Sequence, residues 1–463
     1  MIFMGRIAAA VLALAVIVAA TLAFVFRPGD AIRVATGYVA HNVCSKTFVS
    51  GLDPDITIAE TTARDGIRRL RLLMTVAVDR AAKTVDAAVL AGFRSHAVFR
   101  EQFGCVLQHG AEPYLPRIDL QAAKTPKAPP LLAEIAGPGV VEPADPALKA
   151  ALDHAFEEPA APPFRRTKAV VVVRDGHVIA ERYAAGIGID TELLGFSMTK
   201  SVINALLGIM TQQDLLSPSV PAPVPEWRNA SDPRSRIEVS HLMQMTTGLA
   251  LDETNSGFDP SSRMMYLVDD MAGSAVQARL IAPVGKRWHD SSGSAQILAR
   301  IVRDGTGGPE QSLAFAWREL FNPLGMRHVT LELDGAGTIQ GTTYMLASAR
   351  DWARFGLLYL DDGKVGGKRI LHEDWVDYCA AATLDTDYAA GFWTNRSEHE
   401  HAKGRVHAGI PRDAFFASGD LGQRIFIIPS QRMVVVRLGE SVDPTGDIEG
   451  VARLIKEVIA AVN

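Results

Sequence analysis

The sequence has little of what nucleic-acid-binding, zinc-binding or disulfide-rich proteins carry. Its 463 residues contain only three cysteines, and the formal net charge is −5. No strongly basic stretch has interleaved aromatic residues, so the charge gives no reason to expect a nucleic-acid partner. No C-x-x-C pattern is present, and the absence of G-x-S-x-G gives no support to the nucleophile turn of an α/β-hydrolase. With 48% hydrophobic and 21% charged residues, the composition is that of a globular protein.

The N-terminus carries one long apolar run. From Ile7 to Phe26 no residue is charged, Arg6 precedes the run, and Arg27-Pro28-Gly29 ends it. Twenty helical residues span about 30 Å, the thickness of a bilayer core. The run is either an uncleaved signal anchor or a signal peptide, and its length and the lack of a clean A-x-A site favour the anchor. Both alternatives export the chain, so we expect a periplasmic or other extracytoplasmic protein, anchored in the inner membrane.

An exported location permits a disulfide. Cys44 and Cys105 fall in the same N-terminal region, whereas Cys379 stands far along the chain. We therefore expect a bond between Cys44 and Cys105 and a free Cys379.

Changes in composition divide the chain into four regions. We expect a signal segment over 1–28, a small, mainly β accessory domain over 29–112, a proline-rich linker over 113–143, and the main domain over 144–463. In the accessory domain, alternating residues predict strands at 70–78 and 84–90.

The main domain begins and ends with β-strands. Strand patterns predict hairpins over 169–183 and 424–437, and an apolar stripe predicts a terminal helix over 448–462. Helical patterns fill the middle. The sequence therefore predicts an α+β fold, an antiparallel sheet that contains strands from both ends of the domain and is flanked by helices, with a mostly helical insert.

The strongest candidate for catalysis is Ser197, which stands three residues before Lys200. The apolar segment 202–210 follows and predicts a buried helix, on which positions i and i+3 share a face. A serine needs a partner that takes its proton. A lysine can do so near neutral pH only if its pKa falls from about 10.4 to about 7.

Several short stretches, found in order along about residues 134–463, resemble the conserved motifs of one enzyme superfamily. They are Ser197-Met198-Thr199-Lys200, His241 to Leu249, Pro283 to Gly293, Phe321 to Met326, Ala349 to Gly356, and Ser418 to Gln423. The chain resembles serine hydrolases of the class C β-lactamase and penicillin-binding-protein superfamily, and most of all the 6-aminohexanoate-dimer (nylon-oligomer) hydrolase branch. The resemblance implies that Ser197 is acylated, that Lys200 accepts its proton, and that a small amide or ester is cleaved without a cofactor.

One position departs from this pattern. The second motif of the superfamily is usually Tyr-x-Asn or Tyr-x-Ser, and here Asp290-Ser291-Ser292 takes its place. Ser292 fits the third position, but Asp290 stands where the tyrosine is expected. A carboxylate there can accept a proton, or it can pair with Lys200 and raise the lysine's pKa.

By resemblance, the third motif lies on a strand facing the nucleophile, and the candidate residues are Gly419 and Asp420. The backbone N–H groups of Ser197 and Asp420 are then the candidate oxyanion donors. The chain lacks the Lys-Thr-Gly triplet of true β-lactamases, which argues against penicillin as the preferred substrate.

Two other functions stay open. Because of Asp290, the chain is alternatively a catalytically weak binding or sensor protein on the same fold; a narrower enzymatic alternative is a cell-wall D-amino-acid peptidase. The stretch Glu398-His399-Glu400-His401 has alternate histidines, but in a polar loop we interpret it as solvated charge and expect no metal.

Overall fold

The fold is seen in a computed structural model that describes residues 27–90, 92–125, 128–254 and 256–463. The hydrophobic helix predicted over 7–26 lies outside these residues. Within the described ranges, no helix combines the length and the apolar character needed to cross a membrane.

The strands form a large antiparallel sheet and smaller ones. The six-stranded sheet has the order β12-β13-β14-β15-β5-β6, and the N-terminal sheet has the order β1-β2-β3-β4. The strands are β1 (Met74–Asp79), β2 (Thr84–Val89), β3 (Phe93–Arg100), β4 (Gly104–Leu107), β5 (Thr167–Arg174), β6 (His177–Tyr183), β7 (Leu193–Leu194), β8 (Val329–Leu331), β9 (Met345–Ala347), β10 (Lys364–Val365), β11 (Lys368–Arg369), β12 (Trp393–Thr394), β13 (Phe415–Gly419), β14 (Gln423–Ile428) and β15 (Met433–Gly439).

Helices cover both faces of the large sheet and form the insert between its two ends. The α-helices are α1 (Pro28–Cys44), α2 (Pro54–Thr62), α3 (Leu120–Lys124), α4 (Pro146–Phe156), α5 (Met198–Gln212), α6 (Val239–Met243), α7 (Pro260–Leu267), α8 (Met271–Ala275), α9 (Ser292–Thr306), α10 (Pro309–Ala316), α11 (Asn322–Leu324), α12 (Ala349–Leu360), α13 (Trp375–Ala380), α14 (Glu400–His407) and α15 (Ile448–Val462). Short 3-10 and π segments join some of them.

The centre of the sheet is buried on both faces because alternate side chains enter two different cores. Val170 and Val172 of β5 pack under α4 and α15, whereas Val171 and Val173 pack on the side of α5 and α12. This explains the unbroken valine run, since a strand covered on both faces needs no polar side. The predicted α+β architecture, with strands from both ends of the domain paired in one antiparallel sheet, is confirmed.

The N-terminal region contains the predicted strands, but helices α1 and α2, which the sequence did not indicate, make it a mixed region where a mainly β domain was expected. The four-stranded sheet β1–β4 packs against α1, which is buried along most of its length. Because polar residues such as Thr36 and Asn42 are also buried, α1 has no polar face and shows no helical period. The Thr36 hydroxyl is hydrogen-bonded to Ser95 Oγ at 2.8 Å, and the Asn42 amide donates to the hydroxyl of Tyr344 at 3.0 Å.

The proline-rich stretch packs along the main domain. Ile135 is buried, and its carbonyl accepts a hydrogen bond from the backbone N–H of Val178 at 2.8 Å. The N-terminal region also shares one continuous apolar core with the main domain. The division into domains stays a prediction, but the two regions are joined by buried contacts.

Candidate active site

The nucleophile candidate stands at a tight turn between β7 and α5. Ser197 is the residue just before α5, and Phe196 before it has a positive φ of 47°. Gly195 donates its backbone N–H to the carbonyl of Met345 at 2.9 Å, and the Thr199 hydroxyl donates to the carbonyl of Phe196 at 2.7 Å. These bonds fix the turn to β9 and stabilise a backbone conformation that a phenylalanine rarely adopts.

Lys200 lies one helical turn after Ser197 and is buried between two carboxylates. Its Nζ donates to Asp290 Oδ1 at 2.9 Å and lies 3.7 Å from Glu253 Oε2. Glu253 also accepts the backbone N–H of Ser292 at 2.8 Å, at the start of α9. The site therefore contains one ammonium group and two carboxylates, and the pairing of Asp290 with Lys200 is one of the two outcomes expected for this departure from the family pattern.

These charges decide the protonation of the lysine. Burial alone would lower the pKa of Lys200, but Asp290 and Glu253 outweigh burial and raise it above its ordinary value. Burial also raises the pKa of the Glu253 carboxyl, and Lys200 counteracts that rise. Lys200 is thus protonated at neutral pH in the free protein, which opposes its use as a simple base.

A tyrosine from a different loop also belongs to the candidate site. Tyr388 is buried beside Trp288 and Trp393, with ring centroids 5.6 and 5.2 Å away. Burial raises the pKa of the Tyr388 phenol, with a smaller lowering contribution from Lys200. The loop is anchored on α5, because Ser201 donates to the carbonyl of Gly391 at 2.7 Å and Asn204 donates to that of Ala390 at 2.6 Å. The phenol stays protonated and can donate a hydrogen bond.

The end of β13 lies directly against the nucleophile turn. A side chain at Gly419 would collide with the carbonyl oxygen of Gly195, two residues before Ser197. The following residue, Asp420, forms an ion pair with Arg64 of the N-terminal region. Gly419 thus permits a close approach of the two backbones, which a paired oxyanion site requires.

A cleft with a volume of about 920 Å³ brings most of the predicted residues together. Ser197, Lys200, Asp290, Gly419 and Asp420 all line it. The Ser292 side chain is buried behind the cleft, and its backbone N–H binds Glu253.

The alternate histidines lie near a carboxylate that the sequence did not link to them. His399 Nδ1 and His401 Nδ1 lie 3.5 and 4.0 Å from Oδ1 of the buried Asp387. Arg405 donates to the other carboxylate oxygen at 2.8 Å. The three groups lie close enough together to hold a metal ion, with Arg405 paired to the same carboxylate, and the expectation of no metal stays a prediction.

Sequence reasoning missed Glu253, Tyr388 and Arg64. Glu253 lies in the loop before α7, which has no periodic pattern. Tyr388 had a weak signal, because it opens the aromatic stretch 388–393, which leads into β12. Arg64 had none, since only tertiary packing brings it to Asp420.

Comparisons with known proteins identify the family of the chain. The family model described as Beta-lactamase matches residues 153–460. A 6-aminohexanoate-dimer hydrolase of Paenarthrobacter ureafaciens is 25% identical over 297 residues, which cover 60% of this chain and 74% of that protein.

Solved structures share the fold at lower identity. A penicillin-binding protein homologue from Caulobacter crescentus is 18% identical, with a TM-score of 0.53 over 71% of this chain and all of that one. EstCE1, a hydrolase with promiscuous acyltransferase activity, is 16% identical, with a TM-score of 0.54 over 67% of this chain and 97% of that one. The family model covers well over half of the chain, and the chain therefore belongs to the beta-lactamase family.

Proposed function

We propose that this protein is a serine hydrolase that cleaves a small amide or ester through an acyl-Ser197 intermediate. Family membership and the hydrolase names among similar proteins support the reaction class. The observation that carries the proposal is the meeting of Ser197 and Lys200 on the first turn of α5 in the cleft. A nucleophile and a proton-handling group at this spacing are what acyl transfer needs.

The proton path uses the pair formed by Lys200 and Asp290. Lys200 passes one proton to Asp290 along their 2.9 Å hydrogen bond and takes the proton of Ser197 as Oγ attacks the carbonyl carbon. The net acceptor is then the carboxylate, and Lys200 ends the step charged as it began. Collapse of the tetrahedral intermediate breaks the bond to the leaving group, which takes the proton back, and water repeats the sequence on the acyl-enzyme.

Charge that develops on the substrate oxygen is stabilised by the backbone N–H groups of Ser197 and Asp420. Ser197 precedes the first turn of α5, where the helix dipole favours negative charge. The Tyr388 phenol is a further hydrogen-bond donor in the same cleft. Loss of one oxyanion donor typically costs about 10² to 10³-fold in rate.

The direct test is labelling with a fluorophosphonate probe, followed by intact-protein mass measurement. We expect one adduct on the wild-type protein and none on Ser197→Ala. Ser256→Ala is the matched control, because Ser256 lines the same cleft, and it should label like the wild type. The absence of an adduct on folded wild-type protein would contradict the proposal.

One observation favours the second candidate, a binding or sensor protein on this fold. The raised pKa of Lys200 leaves Ser197 without a neutral amine beside it. The variant Asp290→Tyr separates the two functions. A large gain in hydrolysis would indicate an impaired site, whereas the loss that we expect would identify Asp290 as the working residue.

We also propose an extracytoplasmic location. It is supported by the apolar run over 7–26 and by the disulfide between Cys44 and Cys105, whose Cα atoms are 6.1 Å apart. Such bonds persist in oxidising compartments. Fractionation of cells that express the full chain tests this proposal, and recovery of the protein in the cytosol with reduced cysteines would contradict it.

A further inference from the structure

The N-terminal region supplies one side of the catalytic cleft. We call this side the N-terminal wall; it consists of residues 28–38 of α1 and the segment 64–70. Its apolar members in the cleft include Ala31, Ile32, Ala35, Ile67 and Leu70. Positions 31, 35 and 38 are spaced at i, i+4 and i+7, so they present one face of α1 to the cleft. The wall lies outside the part of the chain that the family model matches.

The wall contacts the active-site domain at two places. At one, Arg64 pairs with Asp420 after β13 and lies over the ring of Tyr38, with Cζ 5.0 Å from its centroid. At the other, α1 packs on α7 and on the loop before it, where a Cβ at Gly257 would lie 3.6 Å from Cβ of Ala31. The wall therefore reaches from the predicted oxyanion strand to the loop that carries Glu253.

Buried polar contacts hold the wall in place. Glu332 accepts hydrogen bonds from the Ser45 hydroxyl at 2.9 Å and from the backbone N–H of Cys105 at 2.7 Å. It also lies 2.7 Å from Nε2 of His41. Together with the disulfide at the end of α1, these contacts make the wall a pre-formed surface.

The wall brings aliphatic side chains, as well as the charged Arg64, Asp65 and Arg69, into the cleft that Ser197 lines, and the aliphatic ones fit an aliphatic substrate group. Ile32, Ala35 and Leu70 are only partly buried, and Phe258 across the cleft is 49% exposed. We propose that the N-terminal wall and Phe258 form an acyl-chain subsite and that the enzyme prefers amides or esters of medium-length aliphatic acids. This inference rests on the proposed function. Each methylene that the subsite removes from water should raise kcat/KM about fourfold.

The experiment compares p-nitrophenyl acetate, butyrate and octanoate. For the wild-type protein we expect kcat/KM to rise with chain length, by at least tenfold from acetate to octanoate. Ile32→Asp should lower the octanoate value at least tenfold and the acetate value much less. Ala35→Trp fills the same space without a charge, so it should also abolish the preference. Leu72→Asp is the matched control, because Leu72 is 96% exposed and lies outside the cleft, and it should keep the wild-type ratio.

The outcomes separate this inference from the proposed function. Turnover of acetate that depends on Ser197, with octanoate cleaved no faster, would overturn the subsite and leave the hydrolase intact. A preference for octanoate that survives in both wall variants would also overturn it. If no ester is cleaved and no fluorophosphonate adduct forms, the proposed function itself fails. Circular dichroism confirms that each variant is folded.

Discussion

The main domain and the N-terminal region contribute to the same cleft in different ways. The main domain places Ser197, Lys200 and Asp290 on or beside short, strongly packed turns between helices and strands. The N-terminal region contributes Arg64 and apolar side chains on a helix that a disulfide and buried hydrogen bonds hold in place. In our proposal, the chemistry and the selectivity thus reside in separate elements, and each can be disturbed while the other is left in place.

The largest expected effect comes from the chemistry alone. Ser197→Ala should reduce ester hydrolysis at least about 10³-fold, because no other group forms the acyl intermediate. The free energy of unfolding should change little, since the Ser197 side chain makes no hydrogen bond within the described residues that would stabilise the fold. Hydrolysis of p-nitrophenyl acetate and urea denaturation measure the two quantities. Retention of most of the activity would place the nucleophile elsewhere.

The second prediction disturbs the N-terminal wall and leaves the nucleophile unchanged. Replacing both Cys44 and Cys105 by alanine opens a loop of about 60 residues and should lower the free energy of unfolding by about 2 to 5 kcal/mol. Activity on acetate should fall less than activity on octanoate, because the wall and not the nucleophile is disturbed. Cys379→Ala is the control; it removes a free, buried thiol and should cost about 1 kcal/mol. Equal losses on both esters would show that the two regions are not separable.

A third variant sharpens the chemistry through its pH dependence. Asp290→Asn removes the net proton acceptor and should reduce kcat/KM about 10²-fold at pH 7. It also removes a carboxylate that raises the pKa of Lys200, so that pKa falls. The residual activity of the variant should therefore increase with pH as Lys200 loses its proton. The wild-type rate should show no such increase near neutral pH.

Asp55→Asn is the matched control for this variant, because Asp55 is an exposed carboxylate outside the cleft. It should keep the wild-type profile. A wild-type rate that climbs steadily into the alkaline range would show that neutral Lys200 is the acting base and would contradict the relay through Asp290.

The smallest effect concerns the buried anchor of the wall. Glu332→Gln weakens hydrogen bonds to a charged acceptor from Ser45 and Cys105, so the free energy of unfolding should fall by about 1 to 3 kcal/mol. The ratio of octanoate to acetate hydrolysis should fall with it. Glu398→Gln, at an exposed carboxylate far along the chain, serves as the control and should leave both values unchanged. A stable Glu332→Gln protein with an unaltered ratio would show that this contact does not fix the wall.

Much of the fold could be predicted where local pattern and tertiary position agree. The hairpin strands found at 167–174 and 177–183 and the helix at 448–462 match the sequence prediction closely, because the valine run of β5 and the apolar stripe of the terminal helix are strong local signals. The helix α1 could not be predicted in this way, since burial on most sides removes the polar face that gives a helix its pattern.

The candidate site likewise contains residues whose proximity the sequence predicts and residues that only the fold brings together. Ser197 and Lys200 are neighbours on one helix, so their spacing predicts their proximity. Glu253, Tyr388 and Arg64 enter the cleft from three separate segments, and only the packed fold brings them together. Asp290 was identified as a departure from the family pattern, but its 2.9 Å bond to Lys200 is a tertiary contact that no local pattern encodes.

The most direct test of the account is capture of the acyl-enzyme itself. The protein is mixed with p-nitrophenyl butyrate at pH 7, quenched in acid within milliseconds to seconds, digested, and analysed by peptide mass. We expect a butyryl group on the peptide that contains Ser197, formed at the rate of the nitrophenol burst. Release of nitrophenol with no acylated peptide, or with the acyl group on another residue, would contradict it.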